Sequence, residues 1–231
     1  MAARSTLTET RYVHALALGL DPAWRRLTRD ERCRSAEEFG AALSSPGDVT
    51  TFTYSMIGLK AGVDLLLWSL AGSVDALEEK SARALRSGMG TWMTPRQSFL
   101  GIITPSQYVK RPTPQEQSLF AGDRSAYLIV YPFTKSADWY RLDQEQRQKV
   151  MNEHMRVGHH YQQVRQLLAN SFGVDDMDFL VAYETDDLPA FGELVRELRG
   201  TESRRSTVRD TPILTGIHRP IGEITRLLGA E

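Results

Sequence analysis

One segment of the chain occurs twice. "DLLLWSLAGSVDAL", starting at Asp64, aligns without a gap on "DFLVAYETDDLPAF", starting at Asp178. In each copy an aspartate opens an apolar strand, and an amphipathic helix begins about ten residues later. A strand followed by a helix at the same spacing in two places restricts the chain to folds built from a repeated unit.

The flanking segments extend the match. "RYVHALALGL" reads as a strand, and residues 22–43 have helical spacing that offers Trp24, Leu27, Phe39 and Leu43 to one face. "VTTFTYSMIG" and "VDLLLWSLAG" read as two strands, residues 74–86 as a helix and "QSFLGIIT" as a strand, giving the order βαββαβ. After the polar, proline-containing "PSQYVKRPTPQEQ" the order recurs. "AYLIVYPF" is a strand, residues 142–160 are helical, "YQQVRQLLANSF" and "MDFLVAYET" are strands, residues 188–198 are helical and "TPILTGI" closes the set. The pattern of "YQQVRQLLANSF" would equally allow the preceding helix to continue; the match between the halves favours a strand. The expected fold class is α+β: tandem ferredoxin-like (βαββαβ) repeats of the dimeric α+β barrel type, with halves at 1–110 and 111–231. Sheets packed face to face in such a chain can enclose a cavity for a cofactor.

Composition narrows the function. At 231 residues and 41% hydrophobic content the chain can bury a core, and 28 basic against 29 acidic side chains give no field that would gather nucleic acid or anionic lipid. A single cysteine, Cys33, excludes an internal disulfide framework and any Cys-rich metal site. The first ten residues lack the apolar core of a secretory signal, and the longest apolar run, residues 63–70, is too short for a membrane span. A cytoplasmic protein is expected.

Three of the five histidines, His154, His159 and His160, fall in "VMNEHMRVGHHY". Their spacing does not suit two ligands of one small metal ion on a helix face, and no cysteine or carboxylate pair completes tetrahedral zinc. A lone histidine is more often a surface or hydrogen-bonded residue than a ligand. Haem iron asks for less, since one axial imidazole from a helix suffices. A second stretch, "YPFTKSADWY", reads as a strand ending at Tyr131, where Pro132 stops ladder pairing, with Lys135 leaving the sheet. It is either a strand end with a snorkelling lysine or a redox-capable phenol beside a carboxylate-binding cation. Trp139 and Tyr140 read as packing aromatics, and Met151 and Met155 as core filler.

Several segments in order resemble the chlorite dismutase superfamily and, within it, the haem-biosynthetic coproheme decarboxylases: "GLKAGVDLLLWSL", "SFLGIITPSQY", "YPFTK" with "DWYRLDQEQRQKVMNEH", "GVDDMDFLVAYETDDLPAF" and "ELRGTE". The resemblance implies tandem ferredoxin-like halves, a homopentamer and haem in the C-terminal half. The family's axial ligand follows a Met-x-x-His pattern with a tyrosine seven positions on, which selects His154 with Tyr161 and makes His159 and His160 bystanders. Counting from His154 places the distal residue at Leu167, whereas the strand anchors Val164 and Gly173 place it at Gln166; the anchors are preferred, because a slip of one residue turns a strand over. Chlorite dismutases resemble one another in a distal arginine, and neither candidate supplies one; Arg165 is expected to face away. A distal glutamine and "YPFTK" resemble the decarboxylases.

The implied reaction is the oxidative decarboxylation of two propionates of iron coproporphyrin III to vinyls by hydrogen peroxide, giving haem b. Tyr131 is the implied redox phenol, Lys135 the partner of a propionate and proton source, and Gln166 the distal donor. Arg199 and Tyr108 are implied propionate contacts, and Glu202 a candidate partner of His154. The rival readings are a chlorite dismutase and a non-catalytic haem carrier or sensor.

Overall fold

The computed structural model describes residues 11–104 and 123–231. Contacts divide the chain into two units, Met1–Pro105 with Gly216–Glu231, and Ser106–Thr215. In this division the boundary falls at 105/106 rather than 110/111, and the C-terminal stretch goes with the first unit.

The first unit begins with β1 (Arg11–Leu20), a 3-10 turn (Pro22–Arg26), α1 (Arg29–Ser44), β2 (Thr50–Lys60) and β3 (Val63–Ala71). It continues with α2 (Val74–Leu85), a second 3-10 turn (Gly88–Trp92) and β4 (Met93–Ile103). The strands pair antiparallel in the order β4-β1-β3-β2, which is the ferredoxin-like arrangement. Ala61 and Gly62 turn β2 into β3, and Gly62 takes φ +73, a value that a side chain would strain. Alternation sends Leu16, Leu18, Leu65 and Leu67 to the helix side, where they pack with Trp24, Phe39 and Met89. The helical spacing from residue 22 is broken into two pieces because Thr28 and Glu31 cap a fresh start. The Glu31 N–H donates to Thr28 Oγ1 at 3.3 Å, and the Thr28 N–H donates to the Glu31 carboxylate at 2.8 Å.

The second unit holds β5 (Tyr127–Lys135), α3 (Ala137–Arg141), α4 (Gln144–Gly158), β6 (Arg165–Asn170) and β7 (Phe179–Thr185). It is completed by α5 (Leu188–Arg199), a 3-10 turn (Glu202–Ser206) and β8 (Thr207–Arg209). The strands pair antiparallel as β6-β7-β5-β8, the same permutation as in the first unit. "YQQVRQLLANSF" therefore does contain a strand, which starts at Arg165 after α4 has stopped at Gly158. Two expectations are corrected: the strand that closes this unit is Thr207–Arg209, not "TPILTGI", and β5 does not end at Tyr131, because Pro132 stands in register opposite Leu180 and the ladder continues to Phe133 opposite Phe179. The strand tolerates one missing donor.

The two aspartates of the repeat do the same work. Asp64 Oδ2 accepts from the N–H of Leu20, the last residue of β1, at 2.8 Å. Asp178 Oδ2 accepts from the N–H of Lys135, the last residue of β5, at 2.7 Å. Each carboxylate satisfies a backbone donor where its strand leaves the sheet. The helices that follow are capped by Ser73 and Asp187, nine residues beyond each aspartate.

At the C-terminus, β9 (Leu214–His218) pairs Ile217 with Ser55 and His218 with Tyr54. After it, α6 (Ile221–Leu228) inserts Ile224 and Leu228 into the core of the first unit. Arg32 Nε and Cys33 Sγ donate to the carbonyls of Gly229 and Ala230.

Candidate functional site

Strand alternation in the second unit selects one face of its sheet. Tyr131 stands opposite Val181, Ile129 opposite Tyr183 and Gln166 opposite Tyr183, so Tyr131, Val181, Tyr183, Gln166 and Leu168 share a face. Ile129, Val164, Val181, Tyr183 and Leu194 form a core there, against which Val157 of α4 and Phe191 of α5 pack. Leu167 stands opposite Ala182, and Arg165 opposite Glu184, on the other face. Arg165 is held there by the Glu184 carboxylate at 2.8 Å. The register thus puts Gln166, and neither Leu167 nor Arg165, on the side of Tyr131.

Capping makes α4 begin at Gln144: Asp143 accepts from the Gln146 N–H at 2.8 Å, and the Gln146 side chain accepts from the Asp143 N–H at 3.1 Å. The helix packs against α5 and the turn at Glu202–Ser206. It has no fully buried residue. Val150, Met151, His154, Met155 and Val157 are all half-buried, so its apolar side is only partly covered by the described residues. Tyr161, just past the helix, donates to Glu197 Oε1 at 2.7 Å and ties the exit of α4 to α5. His159 and His160 are exposed.

His154 points to the turn at Glu202–Ser206, with Nδ1 3.2 Å from Ser203 Oγ. Burial, and then the charge of Lys135, lower its pKa to about 4, so at neutral pH it is an uncharged imidazole. Lys135 is 8% exposed, donates from Nζ to the Ser203 carbonyl at 2.7 Å, and lies over the rings of Trp139 and Phe133 at 4.7 and 5.2 Å. Burial first and Arg204 second bring its pKa down to about 8. A register shift where β5 meets β8 accompanies this placement.

Tyr131 stacks on Tyr183 with ring centroids 6.1 Å apart and 27° between planes. Burial and Tyr183 raise the Tyr131 pKa well above the usual phenol, while Asp210 raises it further and Arg199 opposes. Asp210 accepts from Arg204 and lies 3.9 Å from Arg199, whose side chain is 56% exposed. Tyr108 lies outside the described residues. Glu202 is not the partner of His154: its carboxylate pairs with Arg205 at 3.2 Å, and Ser203 takes the place beside the imidazole.

The structure adds Ser203, Tyr183, Arg204 and Asp210 to the residues expected from sequence. None had a local signal, because each reaches the site through tertiary packing. Trp139 is buried beneath Lys135, and Tyr140 Oη donates to Asp178 at 2.7 Å, so both serve packing and bonding.

A planar, largely apolar group with carboxylate arms fits what is present. The half-covered side of α4 and Leu168, 45% exposed on the face of Tyr131, provide apolar surface. His154 offers an uncharged ring nitrogen. Arg147, seven residues before His154 on α4, has a buried Nε with no hydrogen-bond partner, a donor suited to an anion.

A family model described as chlorite dismutase matches residues 29–219. The coproheme decarboxylase of Mycolicibacterium smegmatis is 31% identical over 172 residues, covering 74% of this chain and 73% of that protein. Two solved structures from Candidatus Nitrospira defluvii, a mutant chlorite dismutase and chlorite dismutase in complex with imidazole, are each 29% identical. Each aligns with a TM-score of 0.87 over 97% of this chain and 98% of its own. These structures share the α+β fold expected from the repeat. With both copies of the duplicated segment, from Asp64 and from Asp178, and all the described site residues inside residues 29–219, the chain belongs to the chlorite dismutase family.

Proposed function

We propose that the protein is a peroxide-dependent coproheme decarboxylase, which converts two propionates of iron coproporphyrin III to vinyls and yields haem b. The observation that carries this reading is that β6 presents an uncharged residue beside Tyr131: Gln166 lies on the face of Tyr131 and Tyr183, and the one arginine of β6 is held on the opposite face by Glu184. An oxyanion such as chlorite asks for a cation at that place, and the family's dismutases resemble one another in having one. The 31% identity to a named coproheme decarboxylase supports the same choice.

The bound iron tetrapyrrole would supply the redox chemistry with peroxide. Each conversion removes one proton and two electrons from a propionate and releases carbon dioxide, and one peroxide takes up the two electrons, that proton and a second proton from solvent and becomes two waters. His154 would hold the iron through a ring nitrogen, and the Gln166 amide would donate a hydrogen bond on the Tyr131 side. Tyr131 resists simple ionisation, so its hydroxyl would lose proton and electron together and regain a hydrogen atom from the propionate side chain. Lys135, with a pKa near neutrality and two ammonium donors beyond the one given to Ser203, would anchor a second carboxylate and exchange its proton. Arg199 would clamp a further propionate with parallel donors, and Tyr108 would contact another. A cytoplasmic homopentamer without nucleic-acid partners belongs to the same reading.

Mass spectrometry of the pigment during peroxide titration of the coproheme-loaded protein tests the proposal. Sequential loss of two carboxyl groups is expected. Intact or bleached coproheme would leave a carrier, and rapid dioxygen release from added chlorite would establish the dismutase instead.

A further inference from the structure

A carboxylate set among cations takes up donors that a carboxylate-bearing ligand would otherwise use. Beside Tyr131 three cations converge from three elements: Lys135 ends β5, Arg199 ends α5, and Arg204 lies in the turn at Glu202–Ser206. Asp210 is placed among them by strand pairing. β8 pairs Thr207 with Lys135 and Arg209 with Thr134, so the chain runs back along β5 and delivers Asp210, the next residue, toward the Tyr131 side. Arg209 does not join the group, because its guanidinium donates to the carbonyls of Thr211 and Asp176 at 3.0 Å each. One oxygen of Asp210 holds the two remaining arginines unequally. Arg204 donates a hydrogen bond to Oδ2, whereas Arg199 Nη2 stands 3.9 Å from the same oxygen, beyond hydrogen-bond reach, with its side chain 56% exposed. Burial and Tyr183 are the larger causes of the raised Tyr131 pKa, but Asp210 adds to it and Arg199 opposes it, so both side chains lie close to the phenol. An anion entering there meets one guanidinium that is firmly paired and one that is not.

We propose that Asp210 stands in for a substrate carboxylate: it keeps Arg204 as a fixed partner and holds Arg199 loosely, until a propionate takes Arg199 from it. An exposed pair at that distance is weak, and a bidentate, charge-assisted bond to a propionate replaces it. Arg204 stays behind because its bond to Asp210 is already short. Asp210 therefore acts through the arginines and is a positioning residue. It offsets part of the positive charge that Lys135, Arg199 and Arg204 bring together, and it opposes binding of the carboxylate-bearing ligand, since Arg199 must leave it. The inference rests on the reading of Arg199 as a propionate clamp and adds the residue that governs it.

Binding of iron-free coproporphyrin III, followed by its fluorescence, tests the exchange without turnover or axial ligation. Asp210→Asn keeps the shape and an acceptor for Arg204 but removes the charge. It should bind the porphyrin about two- to fivefold more tightly than the unaltered protein does, the range expected for loss of one weak, exposed ion pair. Arg199→Met should bind it less tightly and, combined with Asp210→Asn, should abolish the gain. A gain that persists in the Arg199→Met background comes from the general field and overturns the proposal, as does no gain, or a loss, in Asp210→Asn alone. The two levels separate cleanly. Arg199→Met that binds as the unaltered protein does removes the clamp, and the proposal with it; a weakened Arg199→Met beside an unresponsive Asp210→Asn keeps the clamp and overturns only the proposal. Guanidinium NMR of the unaltered protein gives a second measure. Adding coproporphyrin III should move the Arg199 Nε–H signal and leave that of Arg204 in place, and movement of both, or of neither, overturns the proposal.

Discussion

At the scale of single residues, Tyr131 gives the sharpest expectation, because its hydroxyl is its only functional difference from phenylalanine. Its ring packs on Tyr183 and keeps that contact in Tyr131→Phe. The variant should bind coproheme normally and lose at least about a hundredfold in decarboxylation, the low end for loss of a group that transfers a proton in the rate-determining step; turnover within a few-fold of the unaltered protein, followed by haem b formation, removes the phenol from the reaction. Lys135 and His154 make a prediction about stability. Both have pKa values below their ordinary ones, about 8 against 10.5 and about 4 against 6.5, so the unfolded chain binds more protons than the folded one between each pair of values. Stability should rise with pH from 8 to 10.5 through Lys135 and fall with acid from 6.5 to 4 through His154. Melting temperature against pH should show the alkaline rise in the unaltered protein and lose it in Lys135→Met; an unchanged rise would place its origin elsewhere. Sequence named Tyr131, Lys135 and His154 because each sits in a motif that resembles a family's, and Gln166 by its register between the anchors Val164 and Gly173. It missed Ser203 and pointed to its neighbour Glu202, since a one-residue offset in a 3-10 turn is set by packing that no local pattern encodes.

At the scale of elements, the paired aspartates separate a shared structural role from a local one. Among the described residues Asp64 accepts one hydrogen bond, from the Leu20 N–H, whereas Asp178 accepts two, from the Lys135 N–H and from Tyr140 Oη. Hydrogen bonds to a charged acceptor are worth about 1.5–3 kcal/mol each. Asp178→Ala should therefore cost about twice as much stability as Asp64→Ala in urea unfolding, with Asp178→Ala also displacing Lys135; equal losses would show that the Tyr140 bond contributes nothing. The repeat was legible because these aspartates, the strands after them and the helix starts share one spacing. The rest was hidden for separate reasons. The "TRDE" capping box marked the true start of α1, yet helical periodicity ran through it from Pro22. Pro132 reads as a strand end but stays in the ladder. Thr207–Arg209 is too short to show any alternation.

At the scale of the whole chain, the repeat divides the sequence into halves, but the fold returns its last residues to the first unit. Ile221, Ile224, Thr225 and Leu228 follow the spacing of an amphipathic helix. Read in sequence, "TPILTGI" closes the second βαββαβ unit, but Thr207–Arg209 supplies that strand and Leu214–His218 pairs with β2 instead, so the partner of that helix could be found only in three dimensions. Its burial is substantial. Ile224 and Leu228 are 0% and 3% exposed, and two such side chains contribute about 3–6 kcal/mol together. Against a domain stability of about 5–15 kcal/mol, that is enough to decide whether the first unit stays folded. Removing residues 220–231 should therefore lower the melting temperature by ten degrees or so, at about 2–4 °C per kcal/mol for a chain of this size. Hydrogen exchange should locate the lost protection in β1, β3 and α1. Leu228→Ala, a milder change, should cost about 2–5 kcal/mol and affect the same segments. A shortened protein that melts within a degree or two of the full chain would show that α6 only rests on the surface, contrary to the burial of Ile224 among Phe39, Leu43 and their neighbours.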